Sequence, residues 1–159
     1  MDFVEISEDP IVIESVYERV VSASCGAVAT FVGTTRDHFQ DRRVERLEYD
    51  AYVPMAEKEI RRICGRIRDQ WAVENIAAVH RIGAVPIRDA SVVIAVSSEH
   101  RAAALAATSY AIDALKAKVP IWKKEIYADD RHSAEWKENA ECSWSRVNEV
   151  KNRDELKDE

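Results

Sequence analysis

Apolar residues return along this chain in two periods, and the switches between them lay out a series of strands and helices. Phe3 to Ile6 predicts a short strand. From Pro10 to about Ser22, Ile13, Val16, Tyr17 and Val20 fall on one helical face, and proline suits the first turn of a helix. Gly26 to Gly33 reads as a buried strand closed by glycine. Val44 to Tyr52 alternates, with Leu47, Tyr49 and Ala51 on one side and Arg46, Glu48 and Asp50 on the other, the pattern of a half-buried strand. Pro54 starts a helix to about Trp71, striped by Ala56, Ile60, Ile63, Ile67 and Trp71. Two strands follow, Asn75 to Gly83 and Ala90 to Ser97. A long helix from about Glu99 to Lys118 takes Ser98 as N-cap and Leu105, Thr108, Ile112, Leu115 and Val119 as its core face. In the last strand, Ile121 to Tyr127, alternation sends Trp122, Lys124 and Ile126 one way and Ile121, Lys123, Glu125 and Tyr127 the other.

Between these elements, Thr34 to Arg43 has no hydrophobic period and reads as a loop. After Asp129 the pattern lapses. Trp136, Cys142 and Trp144 suggest that part of the tail docks, while Asn148 to Glu159 is charged and expected to be disordered. Helices alternating with strand pairs predict an α+β fold, a two-layer sandwich with a mixed or antiparallel sheet and three main helices. One domain is expected over residues 1–145, followed by a charged tail over 146–159.

Composition narrows the function classes. At 159 residues, with 47% hydrophobic and 33% charged residues, the chain can bury a core of its own. A formal charge of −6 argues against nucleic-acid binding, which depends on basic stripes that displace phosphate counterions. The basic residues are nonetheless gathered locally, at Arg36, Arg42, Arg43 and Arg46 and again at Lys116, Lys118, Lys123 and Lys124. Local positive pockets on an acidic protein suit a small anion better than a polymer. No apolar run is long enough to span a bilayer and no signal peptide is visible, so the expected compartment is the cytosol, away from membranes. Cys25, Cys64 and Cys142 show no C-x-x-C pair, which disfavours a disulfide scaffold or a zinc site. Cys25 and Cys64 are expected as small core residues. No phosphate loop, dinucleotide fingerprint, metalloprotease helix or nucleophile elbow is present, and no cofactor is expected.

Three segments carry candidate chemistry. Around the Pro120 turn, Lys116 lies in the last helical turn and Lys123 in the following strand, so both can face one anionic ligand, stabilise an oxyanion or act as a nucleophile. Taken singly, Lys116 complements a helix dipole and Lys123 guards a strand edge. At Ser98-Glu-His-Arg101, a cationic Arg at a helix start opposes the dipole, a placement that makes sense if an anion sits there. An exposed Arg and a partly buried His would read equally well. At Gly33-Thr-Thr-Arg-Asp-His38, Arg36 and His38 leave a buried strand and could reach a phosphate, or serve as a solvated loop.

Five stretches, in order, resemble the large, catalytic subunits of molybdopterin synthase. They are Gly26-Ala-Val-Ala-Thr-Phe-Val-Gly-Thr-Thr-Arg36, Leu47-Glu-Tyr-Asp-Ala-Tyr-Val-Pro-Met-Ala56, Val79-His-Arg-Ile-Gly83, Ser98-Glu-His-Arg101 and Leu115-Lys-Ala-Lys-Val-Pro-Ile-Trp-Lys-Lys-Glu125. The resemblance implies a hammerhead-like α/β fold and a reaction in which cyclic pyranopterin monophosphate receives two sulfurs to form the dithiolene of molybdopterin. It implies Lys116 and Lys123 as catalytic lysines, and Arg36, His100 and Arg101 as substrate contacts. The sulfur would come from the C-terminal Gly-Gly thiocarboxylate of a small ubiquitin-like partner, in a heterotetramer built on a central dimer of large subunits. A donor in trans agrees with the residues, since none of the four glycines are adjacent and no cysteine pair could carry a persulfide. The competing expectations are a binding module for the same small partner without catalysis, and an RNA-binding domain using Arg36 to Arg46.

Overall fold

A strand covered on both faces needs apolar side chains at nearly every position, and Val92-Val-Ile-Ala-Val96 supplies them. In the computed structural model, which describes residues 1–128 and 136–137, this stretch is the middle of β7 (Ala90–Ser98). Its sheet also holds β1 (Asp2–Ser7), β2 (Ala27–Thr34) and β5 (Ile76–Arg81), in the order β1-β5-β7-β2. β1 runs parallel to β5, and the other pairings are antiparallel. From β7, Val92, Ile94 and Val96 enter the core beneath α2 (Val53–Gln70) and α3 (Arg101–Lys118). Val93 and Ala95 point the opposite way, into a smaller core under α1 (Ile13–Glu18) with Val16 and Val20.

A second, antiparallel sheet is built on β4 (Arg42–Ala51). β8 (Ile121–Tyr127) pairs along most of β4, and β3 (His38–Phe39) and β6 (Gly83–Pro86) also bond to it. β9 (Trp136–Lys137) pairs with β8. The chain crosses from the first sheet to the second between β5 and β6, at Gly83. There φ is +73°, a left-handed conformation that glycine adopts without a Cβ penalty.

The architecture is the expected α+β arrangement of three helices with mixed and antiparallel sheets, and several boundaries differ for physical reasons. α1 is shorter than the Pro10–Ser22 prediction. Val20 N–H turns back to the Tyr17 carbonyl at 3.0 Å, and Ile13 and Tyr17 stay exposed, so only Val16 and Val20 face inward. The stretch expected as a loop after Thr34 contains the β3–β4 hairpin, turned at Gln40 with φ +50°. The strand expected from Asn75 to Gly83 ends at Arg81, and Gly83 opens a further strand, β6, in the other sheet. α3 begins at Arg101 rather than Glu99. Ser98 is not its cap, because the hydroxyl of this buried strand residue donates to the Ala72 carbonyl at 2.8 Å. Leu105 is 60% exposed, and the inner face of α3 is made instead by Ala104, Ala107, Ala111 and Ala114 beside Thr108, Ile112 and Leu115. Cys64 is buried as expected, whereas Cys25 is half-buried. Trp136 is half exposed on β9. The expected boundary at residue 145, and the expectations for Cys142, Trp144 and residues 148–159, lie outside the described residues. Among the described residues no helix is long and apolar enough to cross a membrane.

Ile67 on α2 is fully buried in the larger core. Ile67→Ala should lower the unfolding free energy by about 2–5 kcal/mol, the lost transfer energy plus the cavity left behind, read from the urea midpoint at unchanged slope.

Candidate active site

Pro120 has no amide proton and cannot continue a helix. α3 therefore stops at Lys118, the Val119 N–H closes on the Leu115 carbonyl at 3.0 Å, and β8 begins at once. This corner aims two lysines into one space. Lys116, on the last turn of α3, stands exposed at the rim, and Lys123, the third residue of β8, is half-buried inside. Both line a cavity of about 450 Å³ between α3, β8, the end of β2 and the β3–β4 hairpin.

Arg36 reaches the same cavity from a firm base. The preceding Thr35 is buried; its N–H donates to the Asp89 carbonyl at 3.1 Å and its carbonyl accepts from Arg88 N–H at 2.9 Å. The hairpin therefore starts from a fixed point before Arg36, His38 and Phe39 extend along the cavity wall. Gly33 forms part of this wall because β2 and β7 meet closely there. A Cβ at that position would come 2.7 Å from Cγ1 of Val92.

The wall combines Phe31, Val92, Ile112, Leu115 and Val119 with a polar set that sequence reasoning did not single out: Tyr49, His80, Ser91 and Glu125. Strand alternation held the signal for Glu125, two residues beyond Lys123, but no local pattern foretells that β5 brings His80 against Tyr49 across two sheets. Their rings meet edge to face at 5.1 Å. Burial pushes the Tyr49 phenol up and the His80 imidazole down to about 4. His80 Nδ1–H donates to the Arg81 carbonyl at 2.8 Å, which fixes the neutral tautomer. Glu125, 3% exposed, lies 3.4 Å from the Lys123 ammonium.

Of the five site residues expected from sequence, the structure brings Arg36, Lys116 and Lys123 together. His100 and Arg101 stand elsewhere, exposed at the start of α3, and His100 faces Glu99 at 3.6 Å. Arg101 and Lys116 are 15 positions apart on one helix; at about 1.5 Å per residue that separates them by about 22 Å along the axis. A half-apolar cavity with three convergent cations suits a small, partly planar anion, and its lysines can stabilise charge that develops on an oxygen or sulfur.

His80 gives the fold a defined pH response. The unfolded chain takes up a proton near pH 6.5, whereas the buried ring resists it until about pH 4. Stability from burying the neutral ring is complete above pH 6.5 and is lost as pH falls through that window. The loss should approach roughly 3 kcal/mol at the acid end. Urea midpoints across this range should fall less steeply for His80→Gln than for the parent.

Comparison with known proteins agrees with this architecture. The MoaE protein family profile matches residues 6–118. The molybdopterin synthase catalytic subunit of Bos taurus is 54% identical over 144 residues, covering 91% of this chain and 75% of the relative. That of Rattus norvegicus is 56% identical over 144 residues, covering 91% and 71%. The crystal structure of molybdopterin synthase from Staphylococcus aureus superimposes with a TM-score of 0.78 at 42% identity, covering 84% of this chain and 95% of that one. A profile match across most of the chain, with relatives this similar over nine-tenths of it, shows that the chain belongs to the MoaE family, that of molybdopterin synthase catalytic subunits.

Proposed function

We propose that this chain is the catalytic subunit of a molybdopterin synthase, a sulfurtransferase that converts cyclic pyranopterin monophosphate to molybdopterin. The sulfur donor is the C-terminal thiocarboxylate of a small ubiquitin-like subunit, whose tail enters the cavity between α3 and β8. The observation that carries this reading is the convergence of Lys116, Lys123 and Arg36 on one cavity by three separate elements.

The chemistry follows from those groups. The thiocarboxylate sulfur attacks an electrophilic, oxygen-bearing carbon of the pterin side chain, forming a C–S bond as a C–O bond at that carbon breaks. The oxygen keeps the electron pair and departs as phosphate or, after protonation, as water, and the partner's acyl group stays on the sulfur. Water then cleaves the acyl–sulfur bond, releasing the partner's carboxylate and leaving the sulfur on the pterin. A second thiocarboxylate repeats the sequence. Lys116 neutralises the incoming anion and stabilises the oxyanion of the tetrahedral intermediate, while Lys123 holds substrate or moves a proton. Arg36 contacts the pterin or its phosphate through a planar fork of donors.

His100 and Arg101 also belong to this proposal as substrate contacts, but the length of α3 places them beyond the reach of their own cavity. They serve the cavity of a second copy, in a central dimer with one small subunit at each end.

Reconstitution with cyclic pyranopterin monophosphate and thiocarboxylated small subunit, followed by mass spectrometry, should show two sulfurs gained only when all three components are present. Under single turnover, Lys116→Ala should slow product formation on the order of 10²–10³-fold while still binding the small subunit. Partner binding without any sulfur gain by the parent protein would leave a binding module in place of an enzyme. Lys116→Ala and Arg101→Ala chains, each nearly inactive alone, should recover activity when mixed, because one cavity of the mixed dimer then has both groups intact. No recovery would place Arg101 outside the site.

A further inference from the structure

One group in the cavity runs against its charge pattern. Glu125 is a buried carboxylate in a space otherwise suited to receive an anion. Oε1 lies 3.4 Å from Lys123 Nζ, and Oε2 accepts a 2.8 Å hydrogen bond from the Tyr127 hydroxyl. The arrangement follows from β8 itself, since residues 123, 125 and 127 share one face of a strand.

Tyr127 is held in turn. The Arg42 guanidinium lies 3.5 Å from the centre of its ring, and the Lys123 ammonium lies 6.0 Å from the ring of Phe39. The hairpin thus lends a cation to an aromatic ring of β8, and β8 lends one to an aromatic ring of the hairpin.

We propose that Tyr127 is a positioning residue for Lys123: by fixing one carboxylate oxygen of Glu125, it aims the other at the ammonium. A lysine on a four-carbon stem is poorly held by one contact to a carboxylate that can turn about its own terminal bond. The Tyr127 bond to Oε2 restrains that rotation, and burial strengthens both interactions. At 3.4 Å the ammonium is not drawn into the 2.7–2.9 Å contact of a tight ion pair, and its three N–H groups allow it to meet a ligand anion as well. The inference rests on Lys123 being a working lysine of this cavity.

The test is steady-state kinetics of the reconstituted complex with Tyr127→Phe, Lys123→Ala and the double variant. Tyr127→Phe should lower kcat roughly tenfold, the effect of losing a hydrogen bond to a charged group. KM for the pterin should stay within about twofold and the melting temperature should hold, because the lost interaction acts on placement rather than on binding or folding. In the Lys123→Ala background the same change should have no further effect, since the group it positions is gone. Glu125→Gln should behave likewise and gives a second route to the same cycle. Parental kcat in both Tyr127→Phe and Glu125→Gln would overturn the proposal, as would an equal further loss in the Lys123→Ala background. Full activity of Lys123→Ala itself would remove the reading of Lys123, and the proposal with it.

Discussion

The corner at Val119-Pro120 is the constraint from which the site follows. A helix and a strand differ in rise and in the direction of successive side chains, so joining them directly fixes the angle between the residues on either side. A flexible linker would leave the Lys116–Lys123 relation to chance. Pro120 prevents further helix, its predecessor bonds back into the last turn, and strand pairing with β4 starts at Ile121. Because β4 is held on its other edge by β6, the corner is anchored to both sheets through the β5–β6 crossing.

The cavity mixes cations with a buried acid, and each depends on the other. Without Glu125, the cations would repel one another in the absence of ligand; without Lys123, a carboxylate 3% exposed would lose the positive charge that lies 3.4 Å from it. His80 contributes differently. Its neutral ring adds polarity without charge, so the net character of the cavity is set by the lysines, Arg36 and Glu125 across the neutral pH range.

Elements with a strong and uninterrupted period were legible from sequence: α2, the doubly buried β7 and the alternation of β8. The strand β6 was not, because a left-handed glycine and the three residues after it, the last a proline, are too short to show a period. The start of α3 was misplaced because Ser-Glu-His-Arg satisfies a local capping rule, while the tertiary bond from Ser98 to Ala72 holds the serine in the sheet. At the site, Arg36, Lys116 and Lys123 were legible as charged residues beside a break in pattern. Tyr49 and His80 were not, because their meeting depends on how two sheets pack, which no window of sequence contains. The separation of Arg101 from Lys116 is a different case, because the helix predicted from Glu99 to Lys118 already holds the two near its opposite ends.

Four alanines join Thr108, Ile112 and Leu115 on the inner face of α3, with Leu105 turned outward, and this matters well away from the core. Small side chains let the helix lie close to β2 and β7, and Thr108 ties it there through a hydrogen bond to the Ala29 carbonyl at 3.3 Å. The height of the helix above the sheet therefore also sets how far Lys116 projects over the cavity. An added methyl group at Ala107 or Ala111 would act as a shim under a lever. The protein would remain folded while the amine at the far end moved by a fraction of an ångström, enough to be felt in the rate of a reaction that depends on placement. In this fold the packing of a helix serves as the focus adjustment of the active site.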